Sequence, residues 1–441
     1  MATIRPFPTD PSKPVFSRPL LKPFRHWPFS PVLTTMPFPE IKQCRLCQSQ
    51  NVKTILDFGL SPLANKYFDI GDYDETVESP IRYFQCQQCL SVQLQDEVPS
   101  EILFADYDYE SPPNLGPNFS NLVKTAGEVL NWDPATTMIV DIGANSGLLL
   151  SKFREAGYKH LMGIEPCAKL ANKIAEKGIG VYRSFFNDVA VDVIESTRAV
   201  MNPSLRLGIV STNTFAHVPD LNGFVANLSR LMGEHDSFIF ENAYLLNTLQ
   251  NTDLGQLYAE HIFLHSVAPL VQFFKKHDLC FWRVENIPVQ MGSIRGFVLP
   301  DALRQCTSSV INAISLEIEQ GLDEPATYEA FTQRTIKMKE RLLAQIKGIK
   351  KDPANSIAIM GWPAKCTLLN KFVGLEPFID FVVDESPLKI GKLAPGTKLH
   401  IKSLDYFRNN PTTHCIIGAY NFAEDIKMKN DWFKGEWIVP L

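Results

Sequence analysis

The chain has 441 residues, more than one hydrophobic core usually organises, so two or three domains are expected. Its 45% hydrophobic and 21% charged residues exclude a disordered or fibrous chain. A formal charge of -5 gives no global basic field for a nucleic-acid polymer. No apolar stretch reaches the roughly 18 to 20 residues that a membrane-spanning helix needs, so no membrane partner is expected.

Residues 1–40 are dense in proline and carry Arg5, Lys13, Arg18, Lys22 and Arg25 against only Asp10 and Glu40. Without helical or strand periodicity they read as a disordered tail. They are too proline-rich for the amphipathic helix of a transit peptide and lack the apolar core of a secretory signal. Met36 offers an alternative start just before the first organised segment.

From residue 41 to about 105, short strand-like runs and turns surround two knuckles, Cys44-Arg45-Leu46-Cys47 and Cys86-Gln87-Gln88-Cys89. The other cysteines, Cys167, Cys280, Cys306, Cys366 and Cys415, are scattered singly, which is no disulfide framework and fits a reducing, cytoplasmic compartment. Each knuckle sets two thiolates on one tight turn, and two knuckles supply four sulfurs in tetrahedral array. Zinc is the natural occupant, and four protein ligands leave it no open position for chemistry.

A mixed segment with Tyr107 and Tyr109 leads into a helix over about 118–130. Buried-strand runs at 137–142, 160–164, 207–212 and 237–240 then alternate with helical periods at 148–156, 168–176 and 221–231. This is the α/β pattern of a doubly wound parallel sheet. The turn from Asp141 through Gly143 and Asn145 to Gly147 ends a strand and opens a helix. Its spacing is GxxxG, not the GxGxxG of dinucleotide enzymes, and Asn145 stands where many such loops have a third glycine. Glu165 closes the next strand, where a carboxylate can accept hydrogen bonds from both hydroxyls of a ribose. Strand, glycine turn, helix, strand and acid follow the order of an S-adenosylmethionine site; the bland alternative is a tight turn with a surface glutamate.

After the strand at 207–212, Asn213 and His217 lie at the carboxyl edge of the sheet, where open α/β sheets bind ligands. Tyr258-Ala259-Glu260-His261 gathers a phenol, a carboxylate and an imidazole, enough for a base, an orienting partner and a donor. A long helix covers 325–349. A second strand-helix-strand unit from 356 to 383 predicts a separate α/β domain.

In this order the motifs resemble the sugar C-methyltransferase family, over residues 41–441. The resemblance is carried by the cysteine pairs, Asp106 to Ser111, Asp141 to Gly147, Gly163 to Pro166, Asn213 to Leu221, Tyr258 to His261, Gly361 to Asn370, Asp384 to Gly396 and Asn421 to Ile426. It implies a tail (1–40), a zinc-binding domain (41–105), an S-adenosylmethionine-dependent methyltransferase domain (106–300) and a C-terminal Rossmann-like α/β domain (301–441). The implied substrate is a nucleotide-linked deoxysugar carrying a ketone. A carbon beside a ketone becomes nucleophilic only after a base removes its proton, and the enolate oxygen then needs a donor. His261 is the expected base, assisted by Tyr258 and Glu260, with His217 and the phenol of Tyr107 or Tyr109 on the ketone side. Asp141, Gly143, Asn145, Gly147, Glu165 and Asn213 would face the cofactor, and Ser293, Arg295 and Lys365 the substrate.

The chain departs from the family pattern at Gln290-Met291, where relatives carry His-Gly, at Ser111-Pro112-Pro113, and at Trp362 in a turn one residue short. Two other readings use the same motifs: methyl transfer to oxygen or nitrogen, which needs no carbon-acid base, and a non-catalytic zinc-bearing binding module.

Overall fold

The computed structural model describes residues 38–72, 76–104, 107, 109–301 and 304–440. Residues 1–37, including Met36, and Asp106 and Asp108 lie outside the described residues. No helix of the described residues is long and apolar enough to cross a membrane.

Three sheets carry the chain. The first begins with β1 (Val52–Pro62), β2 (Glu78–Cys86) and β3 (Val92–Leu94), all antiparallel neighbours. Its two knuckles close alike. Gln48 N–H bonds to the carbonyl of Cys44 and Leu90 N–H to that of Cys86, each at 2.9 Å, with Gln48 at φ 65° and Leu90 at φ 64°. Side chains larger than glycine in this left-handed region are held there by the turn they close.

The second sheet contains β4 (Thr137–Ile142), β5 (His160–Ile164), β6 (Gly180–Tyr182), β7 (Arg206–Thr212) and β8 (Ser237–Ala243), mutually parallel. The chain then returns to the first sheet, where β9 (Phe263–Leu264) pairs antiparallel with β3. The hairpin β10 (Leu279–Ile287) and β11 (Ser293–Pro300) completes the second sheet, giving the order β10-β11-β8-β7-β4-β5-β6 with β11 antiparallel to both neighbours. All six residues of β4 are buried, as a strand covered by helices on both faces requires. One covering helix, Gly116–Leu130, presents Phe119, Leu122, Val123, Ala126 and Leu130 at helical spacing and ends at Asn131 in the left-handed conformation. The opposite face is closed by Val191, Ile194, Leu221, Val225 and Leu228.

The third sheet is wholly parallel: β12 (Ile357–Met360), β13 (Phe381–Val383), β14 (Ile401–Lys402), β15 (His414–Ile417) and β16 (Glu436–Ile438), in the order β14-β13-β12-β15-β16. Trp362 follows β12 and is fully buried. Its indole donates to Thr367 Oγ1 at 3.0 Å, and its carbonyl accepts from Tyr67 Oη at 2.8 Å and Lys389 Nζ at 3.0 Å. The bulky residue in the shortened turn is therefore a core residue that joins the first sheet to the third.

Strand order reverses between β4 and β7 in the second sheet and between β12 and β15 in the third. At such a point successive connections leave toward opposite faces, and a crevice opens beyond the carboxyl ends of the strands.

Candidate active site

Both crevices open into one cavity of about 720 Å³, within the usual size of a small-molecule site. From the second sheet it is lined by Asp141, Gly143, Asn145, Glu165, Asn213 and His217, and from the third by Lys365, Ala419 and Asn421. Tyr107, Tyr109, Tyr258 and His261 lie on its wall, together with Asn65 and Gln290.

Glu165 is 5% exposed and takes backbone N–H groups on both oxygens, from Asn145 and from Cys167, each at 2.8 Å. Burial nevertheless raises its pKa to about 7. Asp141 is buried with Oδ1 unpartnered, and burial, with the Glu165 charge adding to it, raises its pKa to about 8. Two costly carboxylates on one cavity wall suit a ligand that brings ribose hydroxyls and positive charge, which S-adenosylmethionine does through its sulfonium and ammonium groups. Asn145 orders the turn: its side chain accepts from Ser111 N–H at 2.9 Å and donates to the Tyr109 carbonyl at 3.1 Å. Gly143 has φ 75°, and a Cβ there would meet Thr214 Oγ1 at 2.2 Å. Its glycine is thus needed for packing against the neighbouring loop. Gly147 has the same φ and opens the next helix against Ile174 rather than lining the cavity.

His261 accepts or donates at both nitrogens: Nδ1 lies 2.8 Å from the Gln256 carbonyl and Nε2 lies 2.7 Å from Tyr258 Oη. A carbonyl only accepts, so Nδ1 carries the proton and Nε2 receives the phenol's hydrogen. Burial lowers the imidazole's pKa to about 4, keeping it neutral, while the Asp253 charge favours the protonated ring. The His217 ring lies 5.0 Å from that of His261 and stacks on Phe104 at 5.8 Å. Its Nε2 is buried without a partner among the described residues, and burial holds its pKa well below the usual value.

Glu260 sits behind this wall. Its Oε1 accepts from Asn65 Nδ2 at 3.0 Å, its Oε2 has no partner among the described residues, and burial raises its pKa to about 7. The group that orients His261 is the Gln256 carbonyl, not the neighbouring carboxylate. Burial also raises both candidate tyrosines, Tyr107 strongly and Tyr109 to about 12, so both phenols are neutral donors.

The expectation for Ser293 and Arg295 is corrected: neither lines the cavity. Ser293 Oγ donates to the Val289 carbonyl at 2.9 Å, and Arg295 is fully buried, bonding Glu241 at 2.7 Å and Asn121 at 2.9 Å. In this segment it is Gln290 that lines the cavity, in a left-handed run with Met291 and Gly292. Lys365, by contrast, stands at the third sheet's crevice, 9% exposed, with its ammonium 4.8 Å from the Tyr420 ring centroid. It makes no hydrogen bond or ion pair with a described residue. Sequence reasoning missed Asn65 and Gln256, ordinary amides with no local motif around them, and gave no site role to Gln290 and Asn421, although both stand in segments it had named.

The four sulfurs of Cys44, Cys47, Cys86 and Cys89 lie within 4.8 Å of one another, with Cys44 to Cys89 at 3.6 Å and Cys47 to Cys86 at 3.5 Å. A tetrahedral zinc with sulfurs at about 2.3 Å spaces them about 3.8 Å apart, so the donor set and its size fit that ion. The hydrogen bond from Cys89 draws Cys44 down to about 5, whereas that same contact and burial push Cys89 far up. Four thiolates gathered here need a cation between them.

The second sheet inserts the antiparallel β11 between β10 and β8, which sets it apart from an all-parallel dinucleotide domain. Residues 288–441 match the C-methyltransferase C-terminal domain family and residues 44–104 a zinc binding domain family. The chain is 26% identical over 411 residues to C-methyltransferase NovU of Streptomyces niveus, covering 91% of this chain and 96% of the relative. Solved structures similar over 42% of the chain include magnesium protoporphyrin IX methyltransferase from Synechocystis PCC 6803, at 12% identity, 83% of that chain and TM-score 0.29. Another is an S-adenosylmethionine-dependent methyltransferase from Clostridium acetobutylicum ATCC 824, at 11% identity, 92% of that chain and TM-score 0.32.

Proposed function

We propose that this enzyme methylates the carbon beside the ketone of a nucleotide-linked deoxysugar, with His261 as the terminal base acting through Tyr258. The observation that carries the reading is the single cavity: a cofactor crevice at one end, the Tyr258 and His261 pair on its wall, and an unpaired buried lysine at the other. Bound S-adenosylmethionine supplies an electrophilic methyl group. The phenol oxygen of Tyr258 takes the carbon-bound proton as its own proton passes to His261 Nε2, leaving an enolate and an imidazolium. The Asp253 charge favours that imidazolium. His217 and the neutral phenols of Tyr107 and Tyr109 supply donors for the enolate oxygen, and the Lys365 ammonium takes the diphosphate. Cys44, Cys47, Cys86 and Cys89 hold zinc as a structural ion.

The test omits the methyl donor. Purified enzyme is incubated in deuterated water with a panel of nucleoside-diphosphate keto-deoxyhexoses, and mass spectrometry follows deuterium uptake at carbon. Uptake by at least one sugar, abolished in His261→Asn, is the expected result. Methylation of a ketone-free acceptor with no uptake by any keto-sugar would replace this reading with transfer to oxygen or nitrogen.

A further inference from the structure

The loop that carries Tyr258 and His261 is held from outside its own domain, partly through the Glu260 carboxylate between them. Glu260 reaches its one side-chain partner, Asn65, across 195 residues of sequence, and Asn65 belongs to the connection between β1 and β2. Tyr83 on β2 is fully buried and donates to the carbonyl of His261 at 2.9 Å, with the carbonyl of Tyr258 at 3.5 Å. Immediately after this loop, Leu94 N–H bonds to the Ile262 carbonyl at 2.7 Å and β9 joins β3. The loop is therefore the edge of the cysteine domain's sheet as much as a connection in the central domain. The turn that carries Asn65 is itself clamped from the third sheet, by Thr367 Oγ1 on the Ala64 carbonyl at 3.4 Å and by Tyr67 Oη on the Trp362 carbonyl.

We propose that the cysteine domain is a working part of the active site, in which Asn65 and Tyr83 are positioning residues that fix the Glu260 carboxylate and the backbone bearing Tyr258 and His261. This rests on the reading that the loop performs the chemistry, yet its mechanical half stands independently. An amide that merely satisfied a buried acid would need no exposure to the cavity, whereas Asn65 lines it. A tyrosine that merely filled the sheet's core would not spend its hydroxyl on the carbonyl of the base. Glu260 faces Asn65 and Tyr83 from the cysteine domain, Tyr107 from the segment before the long helix at 116–130, and Tyr258 from its own loop. Of these only the Asn65 amide donates to it in the structure, and that bond favours its ionised form.

The experiment compares Asn65→Leu, Asn65→Gln and Tyr83→Phe with wild type in two readouts. Amide hydrogen exchange by mass spectrometry is read on the peptide spanning 254–262. Exchange there should accelerate at least about 10-fold in Asn65→Leu and Tyr83→Phe, as loss of one buried bond to the loop implies, with strands β4 to β8 unchanged. The pH profile of deuterium uptake by the keto-sugars should have its acid limb moved to higher pH in Asn65→Leu and returned toward wild type in Asn65→Gln. Unchanged exchange in 254–262, or acceleration spread evenly through the cysteine domain, would overturn the proposal, as would an unmoved acid limb. Wild type that exchanges no keto-sugar would sink the proposed reaction, while the peptide exchange would still decide the positioning role.

Discussion

Lys365→Met should act in opposite directions on stability and on substrate binding. The side chain stands on the first turn of the helix Ala364–Val373, 9% exposed and without an ion pair to a described residue. The charge that bears on it, Asp253, already accepts from Tyr420 Oη at 2.7 Å, Gly255 N–H at 2.8 Å and Gln256 Nε2 at 3.2 Å. The ammonium is thus poorly compensated, and burial lowers its pKa. Methionine keeps the stem and removes the charge, so the ligand-free variant should melt higher than wild type at pH 7. A group whose folded pKa is depressed below the usual lysine value of about 10.4 disfavours folding while protonated, and that cost fades as pH rises through its folded pKa. The variant's advantage should therefore shrink toward pH 10. Binding moves the other way. A charged hydrogen bond to phosphate contributes about 1.5 to 3 kcal/mol, so Kd for a nucleoside diphosphate should rise about 10- to 150-fold. Isothermal calorimetry with uridine and thymidine diphosphates, and scanning calorimetry at both pH values, read the two effects. Diphosphate affinity within twofold of wild type, or an equal loss of S-adenosylmethionine affinity, would refute the assignment of this end of the cavity.

Glu165→Ala should weaken S-adenosylmethionine binding by about 1 to 3 kcal/mol in calorimetry; it also releases the Asn145 and Cys167 N–H groups, so unchanged affinity would place the ribose elsewhere. Asp141 has a folded pKa raised to about 8 against an ordinary value near 3.9, so its ionisation penalises the ligand-free fold increasingly from about pH 4 to pH 8. Asp141→Asn should flatten that decline in melting temperature while loosening the cofactor, and an equally steep decline in the variant would assign it to other groups. His261→Asn should slow methyl transfer by about 10² to 10⁴ with S-adenosylmethionine affinity spared, checked by single-turnover kinetics beside calorimetry. Metal analysis of protein purified under reducing conditions should find one zinc per chain, and Cys86→Ser should lose it; protein that contains no zinc would leave the cysteine site without its ion.

What the sequence revealed depended on how far apart the interacting groups lie. Strands β4 and β5 and the helices at 168–176, 221–231 and 325–349 were legible because one period runs unbroken through each. The strand β6 is three partly exposed residues, and β10 carries a register shift between Phe281 and Arg283, so neither offers a clean alternation. The cysteine knuckles and the Tyr-Glu-His cluster announce themselves because each is contiguous. Arg295 misled because its place beside the substrate was carried over from the resemblance alone; its partner, Glu241, comes opposite it only when β11 pairs with β8. The Gln256 carbonyl that sets the His261 tautomer is a backbone group and has no sequence signature at all.

The pairing of β3 with β9 also bears on how the chain is made. The first sheet's edge, Val92–Leu94, waits for Phe263–Leu264, which follow 170 residues after Leu94. At about 5 to 20 residues per second, ribosomal synthesis leaves that edge open for roughly 10 to 30 s. Val92, Gln93 and Leu94 are all buried in the finished protein, so during the interval the strand, paired with β2 on one side only, presents an open edge of the kind that recruits other chains. Metal captured early by the two knuckles can shape the cysteine segment but cannot supply the missing strand. The segment produced alone should therefore associate with itself until a peptide carrying residues 261–266 is added.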